Sequence, residues 1–525
     1  MNRAALIDRL GQSKRYDIAI IGGGATGLGV AVDAALRGFS VVLVESHDFA
    51  KGTSSRATKL VHGGVRYLAQ GNISLVREAL HERTTLLNNA PHLASTLPFV
   101  MPSYKHWETP FYGLGLKMYD LLAGKAGLGA TEFLSRAETL ACLPTARAEG
   151  LKGGVKYWDG QFDDARLALA LARTAAAEGA LLVNYCAATG LIHEGEKIVG
   201  LHCQDRETGV AYALNARCVV NAAGVWVDEF RQKDGDAMGR STRAMVAPSQ
   251  GVHLVVDRAF LPSDHALMVP KTADGRVLFA VPWLGKTILG TTDTPRHDLD
   301  LEPTPFKSEV EFILNESARY LSKAPGPEDV KSIWVGLRPL VRPPEEDGGD
   351  TKATKAISRE HTVLVSRSGL VTVTGGKWTT YRAMAEDVLD KCFEASLLTP
   401  KRACSTAYHP LVGAANVASN QPKISDAPGL HAYGSEAATV QSLPGAGRLL
   451  GGGLTEAMVR FAARQEYART VEDVLARRSR LLFLDARLAA TLATPVAAIL
   501  QEETGLNPQC DAFVALTQHY LSLPA

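Results

Sequence analysis

Three glycines near the N-terminus have the spacing of a phosphate-binding turn. Gly22, Gly24 and Gly27 follow the apolar run "DIAII" and precede a helix of small residues, and Thr26 lies in the same turn. In a G-x-G-x-x-G turn the first glycine permits the bend, the second lets a pyrophosphate approach the backbone, and the third lets the helix pack on the strand. Glu45 ends the next strand, where a carboxylate can accept hydrogen bonds from ribose hydroxyls. These residues predict a dinucleotide-binding site.

Two later segments repeat the order of strand, small-residue turn and helix. "VVNAAGVW" contains Ala223, and "VTVTGGKWTTYR" contains Gly375 and Gly376, followed by Lys377 and Thr379. A nicotinamide cofactor needs no third turn, whereas FAD has both a pyrophosphate and a large ring. The last helix would direct its positive end at the ring and stabilise negative charge on the reduced flavin. The three turns together predict FAD as the cofactor, held without a covalent link.

A polar loop lies between the first two turns. Residues 53–71, "TSSRATKLVHGGVRYLAQG", combine hydroxyl side chains and cations with the pair Gly63 and Gly64. Such loops let the backbone approach an anion or a flat ligand, although a solvent-exposed basic turn has the same composition. The residue types alone leave both alternatives open.

The composition excludes several classes of protein. Lys and Arg number 56 and Asp and Glu number 55, a balance that argues against a dedicated nucleic-acid binder. The 7 cysteines form no C-x-x-C pair, so we expect reduced thiols and no metal site. The N-terminus lacks the apolar core of a signal peptide, and no apolar stretch is long enough to cross a membrane. We therefore expect a cytoplasmic protein, for which attachment to a membrane surface stays open.

Several short motifs occur in the order found in one enzyme family. They are "IGGGATG", "TSS…KLVHGGVRYL", "DDARL", "NAAGVW", "ILGTTDT", "WVGLRPL", "AISREH" and "TGGKWTTYR". Over residues 16–490 the chain resembles the FAD-dependent glycerol-3-phosphate dehydrogenases of the aerobic, quinone-linked kind. The resemblance implies oxidation of sn-glycerol 3-phosphate to dihydroxyacetone phosphate by hydride transfer to FAD, with ubiquinone or menaquinone as the acceptor. A glycerol-3-phosphate oxidase that passes electrons to O2 is the alternative.

The elements and the resemblance together predict an α/β protein. We expect a Rossmann-like FAD-binding domain with an inserted β-sheet substrate domain and a C-terminal helical domain. The predicted ranges are 1–97, 151–235 and 345–398 for the FAD-binding domain, 98–150 and 236–344 for the substrate regions, and 399–525 for the helical domain.

The resemblance also implies which residues form the site. The implied cofactor contacts of the polar loop are Thr53, Ser54, Ser55, His62, Gly63 and Gly64. The implied substrate contacts are Arg66, Tyr67, Thr291, Arg338 and Arg359. Arg338 and Arg359 resemble the family's phosphate-binding pair, a role that suits the two-pronged guanidinium, and Arg338 is also a catalytic candidate.

The proton-abstracting base has two candidates. The resemblance favours His253, which alternates with apolar residues along a strand. Lys377 is the rival, because a lysine at a helix N-terminus among arginines has a lowered pKa and can act as a base. Arg56 stands where the family often has a small residue, and we expect it to point outward.

Quinones dissolve in lipid, so the resemblance implies contact with a membrane surface. Residues 107–127 combine aromatics with leucines, and residues 475–492 place arginines among Leu and Phe. Both stretches also suit helices packed on the core. We favour the first as the lipid contact, on the cytoplasmic face of the cell membrane, and keep a homodimer as an option.

Overall fold

The structure is a computed structural model that describes residues 2–64, 72–272, 275–342, 360–415 and 422–524. Its strands, in chain order, are β1 (Arg15–Ile21), β2 (Val41–Val44), β3 (Leu60–Val61), β4 (Ala94–Ser103), β5 (Glu132–Ser135), β6 (Gly153–Phe162), β7 (Leu181–Val183), β8 (Cys186–Glu194), β9 (Lys197–Asp205), β10 (Ala211–Asn221), β11 (Val246–Asp257), β12 (Ala266–Val269), β13 (Leu278–Trp283), β14 (Lys286–Gly290), β15 (Thr294–Pro295), β16 (Ser332–Val341), β17 (His361–Val365), β18 (Leu370–Gly375), β19 (Leu449–Gly451) and β20 (Leu454–Thr455).

The α-helices, in chain order, are α1 (Arg3–Leu10), α2 (Ala25–Leu36), α3 (Ile73–Asn89), α4 (Glu108–Ala123), α5 (Arg136–Cys142), α6 (Asp164–Ala177), α7 (Val227–Ala237), α8 (Lys307–Tyr320), α9 (Tyr381–Glu394), α10 (Ala437–Gln441), α11 (Glu456–Gln465), α12 (Leu481–Leu484), α13 (Ala486–Thr504) and α14 (Cys510–Leu521). Within the described residues, no helix has the length and apolar character needed to cross a bilayer.

The first sheet contains the predicted βαβ unit. Its strand order is β17-β18-β10-β1-β2-β7, and β9 and β8 continue antiparallel from β10. β1 pairs in parallel with β10 and β2 and is buried on both faces. Ile18 and Ile20 pack with α2, α6 and α9, whereas Ala19 and Ile21 pack into a second core with Leu10. A strand covered on both faces requires the continuous apolar run that the sequence has here.

The second sheet is mainly antiparallel and carries the candidate catalytic residues. Its order is β15-β11-β14-β13-β12-β4-β6-β3, with β16 added on β11 and β5 on β6. The pairing of β11 with β14 and β16 places His253 opposite Gly290 and Trp334. In the same register Ser249 lies opposite Arg338. One strand trio therefore brings His253 and Arg338 to the same part of the sheet.

The predicted α/β class with C-terminal helices is confirmed by the elements. The division into domains stays a prediction. The strand pairing of residues 153–162 bears on one of its boundaries. We expected this segment in the FAD-binding domain, but β6 pairs with β4 and β3 in the second sheet. Its sequence "GGVKYWDGQF" has no apolar run or alternation that distinguishes one sheet from the other.

The C-terminal helices pack on the second sheet. Phe483 of α12 lies in the same apolar core as Trp283 and Trp334. Leu481–Leu484 and the neighbouring Arg477, Arg478 and Arg480 are buried. The stretch 475–492, one of the two candidate lipid contacts, is therefore largely part of the protein interior. Buried carboxylates accept hydrogen bonds from its arginines.

Candidate active site

One cavity of about 890 Å³ connects the two sheets. Its wall contains most of the predicted site residues, namely Gly22, Gly24, Thr26, Glu45, Thr53, Ser54, His62, Gly64, Ala223, His253, Thr291, Arg338, Gly375, Gly376, Lys377 and Thr379. Its volume falls in the range of small-molecule sites, which is roughly 300–1,000 Å³.

Three predicted cofactor residues lie behind the cavity wall. Gly27 packs against the first turn, where a Cβ would overlap with the carbonyl oxygen of Gly22. Ser55 is buried, and its carbonyl oxygen accepts hydrogen bonds from Lys59 and Arg480. The Gly63 N–H donates to the Tyr119 hydroxyl at 2.9 Å. These residues shape the wall rather than line it, a distinction that type and spacing do not reveal.

The first turn has the backbone geometry of a phosphate cradle. Gly22 has φ +105°, and a Cβ there would lie 2.6 Å from the carbonyl oxygen of Ala222. Gly24 precedes α2 without a side-chain cap, and the Ala25 N–H donates to the Ser54 hydroxyl at 2.9 Å. The start of α2 therefore presents backbone N–H groups and a partial positive charge to the cavity.

Glu45 lies at the end of β2, as predicted. Its carboxylate accepts hydrogen bonds from the N–H groups of Gly23 at 2.6 Å and His47 at 2.8 Å. Burial raises the pKa of Glu45 above its usual value, against these two hydrogen bonds. The backbone thus fixes the carboxylate at the mouth of the turn, where a ribose would lie in a dinucleotide site.

The polar loop links the first turn to the third. Thr53 Oγ1 donates to the carbonyl oxygen of Leu337 at 2.6 Å, next to Arg338 in the chain. The carbonyl oxygen of Ser54 accepts a hydrogen bond from the Trp378 indole at 2.8 Å. Thr58 Oγ1 lies 2.9 Å from His253 Nε2. Residues 53–58 therefore contact the first turn, the third turn, β16 and His253.

The third turn needs both of its glycines. Gly375 and Gly376 have φ +81° and +72°, and a Cβ on Gly376 would overlap with the sulfur of Met384. Beyond them, a short 3₁₀ turn, Trp378–Thr380, leads into α9. Thr374 Oγ1 donates to the carbonyl oxygen of Gly224 at 3.3 Å, which joins the second and third turns. The geometry leaves backbone close to the cavity, as a flat ring requires.

Arg338 is fixed by oxygen atoms of the β14–β15 connection. Its Nη2 donates to the carbonyl oxygen of Thr292 at 2.9 Å and to the Thr291 hydroxyl at 3.2 Å, and Asp293 lies 3.5 Å from Nη1. A Cβ on Gly251 would overlap with the guanidinium. The prediction missed Asp293 and Gly251, although Asp293 belongs to the quoted motif "ILGTTDT".

His253 is buried between neighbouring strands. Its ring stacks on Trp334 with centroids 5.2 Å apart and an interplanar angle of 16°. Burial, followed by the charges of Lys59 and Arg338, holds the pKa of His253 well below its usual 6.5. The imidazole is therefore neutral at pH 7, the state that can accept a proton.

Arg56 does not point outward as expected. It is buried, and it donates to the carbonyl oxygen of Leu301 and to Glu302, both at 2.7 Å. Its partners lie far away in the sequence, so the local composition gave no sign of them. Arg66, Tyr67 and Arg359 lie outside the described residues, and their predicted contacts with substrate stay predictions.

These features fit FAD. The glycine cradle, the start of α2 behind Gly24, which has no side chain, and the paired glycines before α9 leave backbone accessible where a pyrophosphate and a ring need it. Residues 17–382 match the family model for FAD-dependent oxidoreductases, and residues 404–510 match the model for the C-terminal domain of alpha-glycerophosphate oxidase.

The relatives agree with these models. The mitochondrial glycerol-3-phosphate dehydrogenase of Arabidopsis thaliana is 40% identical over 94% of this chain and 83% of its own, and that of Bos taurus is 40% identical over 93% and 70%. The structure of the Bacillus halodurans glycerol-3-phosphate dehydrogenase complexed with FAD has a TM-score of 0.76 at 29% identity, covering 99% of this chain and 98% of that one. The chain belongs to the FAD-dependent glycerol-3-phosphate dehydrogenase family.

Proposed function

We propose that the protein oxidises sn-glycerol 3-phosphate to dihydroxyacetone phosphate and passes the electrons to a membrane quinone. The observation that carries the proposal is the convergence of Arg338, Thr291 and His253 on the cavity that also contains the three small-residue turns. FAD, when bound, supplies the acceptor for the hydride from C2 of the substrate.

Arg338 would bind the phosphate group. A guanidinium can donate to two phosphate oxygens at once, and the Thr292 carbonyl and Asp293 fix its plane from behind. Thr291 adds a hydroxyl beside it. Fixing the phosphate orients C2 and its hydroxyl, so binding energy contributes to positioning for the reaction.

His253 would accept the proton of the C2 hydroxyl. It is neutral at pH 7, and Thr58 and Trp334 fix its ring. We expect His253→Asn to slow substrate-dependent flavin reduction by about 10²–10⁴-fold, the usual contribution of a positioned base. Lys377→Met is the matched comparison. A larger loss in Lys377→Met, with a normal rate in His253→Asn, would assign the base to Lys377.

Anaerobic mixing tests the reaction itself. Addition of sn-glycerol 3-phosphate should bleach the flavin absorbance, and glycerol at the same concentration should bleach it far more slowly. The reduced protein is then mixed with O2 or with a short-chain ubiquinone. Faster reoxidation by the quinone supports the proposal, whereas faster reoxidation by O2 would identify an oxidase.

Helix α4 supports contact with lipid. One face, with Leu116 and Tyr119, is buried, whereas Phe111, Leu114 and Leu121 on the other are 65%, 73% and 80% exposed. Trp107 immediately before the helix is also exposed. An apolar stripe next to lysines is typical of a helix lying in the bilayer interface, and quinone reduction requires such contact. We infer attachment of this helix to the cytoplasmic face of the cell membrane.

A further inference from the structure

Lys59 is a buried cation next to the candidate base. Its side chain has no exposed surface, and its ammonium donates to Asp164 at 2.6 Å and to the carbonyl oxygen of Ser55 at 2.7 Å. The predicted site did not include it, because a lysine in a polar loop gives no sign of burial.

Three aromatic rings surround the ammonium group. Lys59 Nζ lies 5.2 Å from the ring centroid of Trp283 and 5.3 Å from those of Trp334 and Phe483. Cations are attracted to aromatic faces, and the attraction grows when water is excluded. The Trp334 ring that contacts Lys59 also stacks on His253. One indole therefore lies in contact with both the cation and the imidazole.

The backbone joins the two groups a second time. Thr58, directly before Lys59, is the hydrogen-bond partner of His253 Nε2. Asp164 accepts hydrogen bonds from both the Ala57 N–H at 3.0 Å and the Lys59 ammonium. The ion pair of Lys59 thus also fixes the segment that orients the imidazole.

We propose that Lys59 is a positioning residue that keeps His253 neutral, acting through its charge, the shared Trp334 ring and the Thr58 hydrogen bond. The inference rests on the proposed function, in which neutral His253 accepts the substrate proton. A cation held nearby opposes protonation of the imidazole and so preserves the accepting form when the pH falls.

The surrounding charges determine when this effect operates. Lys59 is influenced by the charges of Asp163, which precedes α6, of Asp164 in α6 and of Arg480 before α12. Arg338 also acts on His253. Burial lowers the pKa of Lys59 to about 7, with Asp164 acting in the opposite direction. Lys59 gains its charge as the pH falls below about 7, which is the range in which an ordinary histidine would become protonated.

Arg480 provides a matched control. It is also buried and also donates to the Ser55 carbonyl oxygen at 2.7 Å and to Asp164 at 3.1 Å. Its guanidinium contacts the rings of Trp283 and Phe483, whereas Lys59 contacts Trp334 as well. Replacing either residue removes one cation from Asp164, but only Lys59 shares a ring with His253.

The test measures the titration of His253 in the oxidised, FAD-bound protein. The imidazole Cε1 signal, assigned by comparison with His253→Gln, is followed by NMR from pH 8 down to the lowest pH at which the protein retains FAD, in wild type, Lys59→Met and Arg480→Met. A unit charge roughly 10 Å away shifts a pKa by about one unit in a protein interior. We expect the His253 midpoint to rise by about one unit in Lys59→Met and by clearly less in Arg480→Met, whose charge lies farther from the imidazole.

Flavin reduction gives a second readout. The acidic limb of the rate of reduction by sn-glycerol 3-phosphate should move upward in Lys59→Met by the same amount. Unchanged or equally shifted midpoints in the two variants would overturn the proposal. If the wild-type flavin is not bleached, the proposed function fails, while the NMR titration still decides the role of Lys59. Lys59→Gln, which keeps a donor for Ser55 but no charge, replaces Lys59→Met if that variant does not retain FAD.

Discussion

The side chain of Arg338 illustrates how its surroundings fix a single charged group, here the one that we propose binds the substrate phosphate. Gln250, Thr291, Thr292 and Asp293 contact its guanidinium, the first three through neutral oxygens. These contacts fix the plane of the guanidinium. A cation prepared in this way loses little side-chain entropy when a phosphate arrives.

Replacement of Arg338 by alanine should mainly impair use of the phosphorylated substrate. Loss of a charge-assisted hydrogen bond costs about 1.5–3 kcal/mol, so kcat/KM for sn-glycerol 3-phosphate should fall by at least about tenfold. The same substitution at exposed Arg342, which follows on the chain after β16, is the control and should leave kcat/KM unchanged. Both variants are checked for FAD content by absorbance. Wild-type efficiency in Arg338→Ala would remove this residue from the substrate site.

At the scale of single residues, a site residue could be predicted from the sequence when the reason for its type lay in neighbouring residues. The glycines of the first and third turns were found because backbone geometry dictates their type at fixed spacing. Lys59 and Arg56 were not found, since their partners Asp164 and Glu302 are remote in the chain. Burial of a charged residue can be predicted only if its partner is recognised in the sequence. A partner that tertiary packing brings close leaves no pattern in the residues next to the charge.

Among the elements, the strands and helices of the first sheet followed the sequence most closely. β1 and β2 are continuous apolar runs, and α2 consists of small residues that allow close packing on them. The pairing of β6 with β4 could not be predicted, because strand pairing is a long-range property, whereas the sequence pattern shows only which faces are apolar. The burial of the arginine-rich stretch before α12 is also a long-range property, because its carboxylate partners are remote in the chain.

Helix α4 is the element whose exposed face has an experimental consequence. A variant with Phe111→Ser, Leu114→Ser and Leu121→Ser removes apolar surface without touching the buried face. Because each large apolar side chain contributes about 1.5–3 kcal/mol when buried, association with anionic liposomes should fall by at least about tenfold. Co-sedimentation measures the bound fraction at low salt.

The control for α4 removes exposed apolar surface elsewhere. Tyr408→Ser, Leu449→Ser and Val514→Ser change three other exposed residues and should leave sedimentation at the wild-type level. Equal sedimentation of the two triple variants would contradict lipid contact through α4. If wild-type protein does not sediment, the membrane part of the proposed function is wrong.

At the scale of the whole molecule, charged side chains join the C-terminal helices to residues 46–58. Asp48, which follows β2, accepts hydrogen bonds from Arg477 and Arg478. Lys51 pairs with Glu472 at 2.6 Å, and Arg480 reaches the Ser55 carbonyl oxygen. Buried ion pairs add little net stability, yet removing one partner is costly because it leaves an uncompensated charge. The network therefore specifies how the C-terminal helices dock, and it makes the geometry of residues 46–58 depend on them.

Buried histidines make the stability of the whole protein depend on pH. His92 is 4% exposed, and burial, followed by the charge of Arg166, lowers its pKa to about 3. In the unfolded chain the same histidine takes up a proton below about pH 6.5, whereas the folded protein does not. The unfolded state thus binds more protons between about pH 6.5 and 3, so stability falls as the pH falls through this window.

His92→Gln should remove this contribution. The substitution has a cost of its own at pH 7, but the stability difference from wild type should shift in favour of the variant by about 2 kcal/mol on going from pH 7 to pH 5. Urea unfolding of the FAD-bound protein at the two pH values, followed by tryptophan and flavin fluorescence, measures the difference. The same substitution at His106, which is exposed and lies outside the core, is the control and should leave the pH dependence of stability as in wild type. A constant difference between His92→Gln and wild type at pH 7 and pH 5 would show that His92 takes up its proton in the folded protein, and the buried neutral state assigned to it would be wrong.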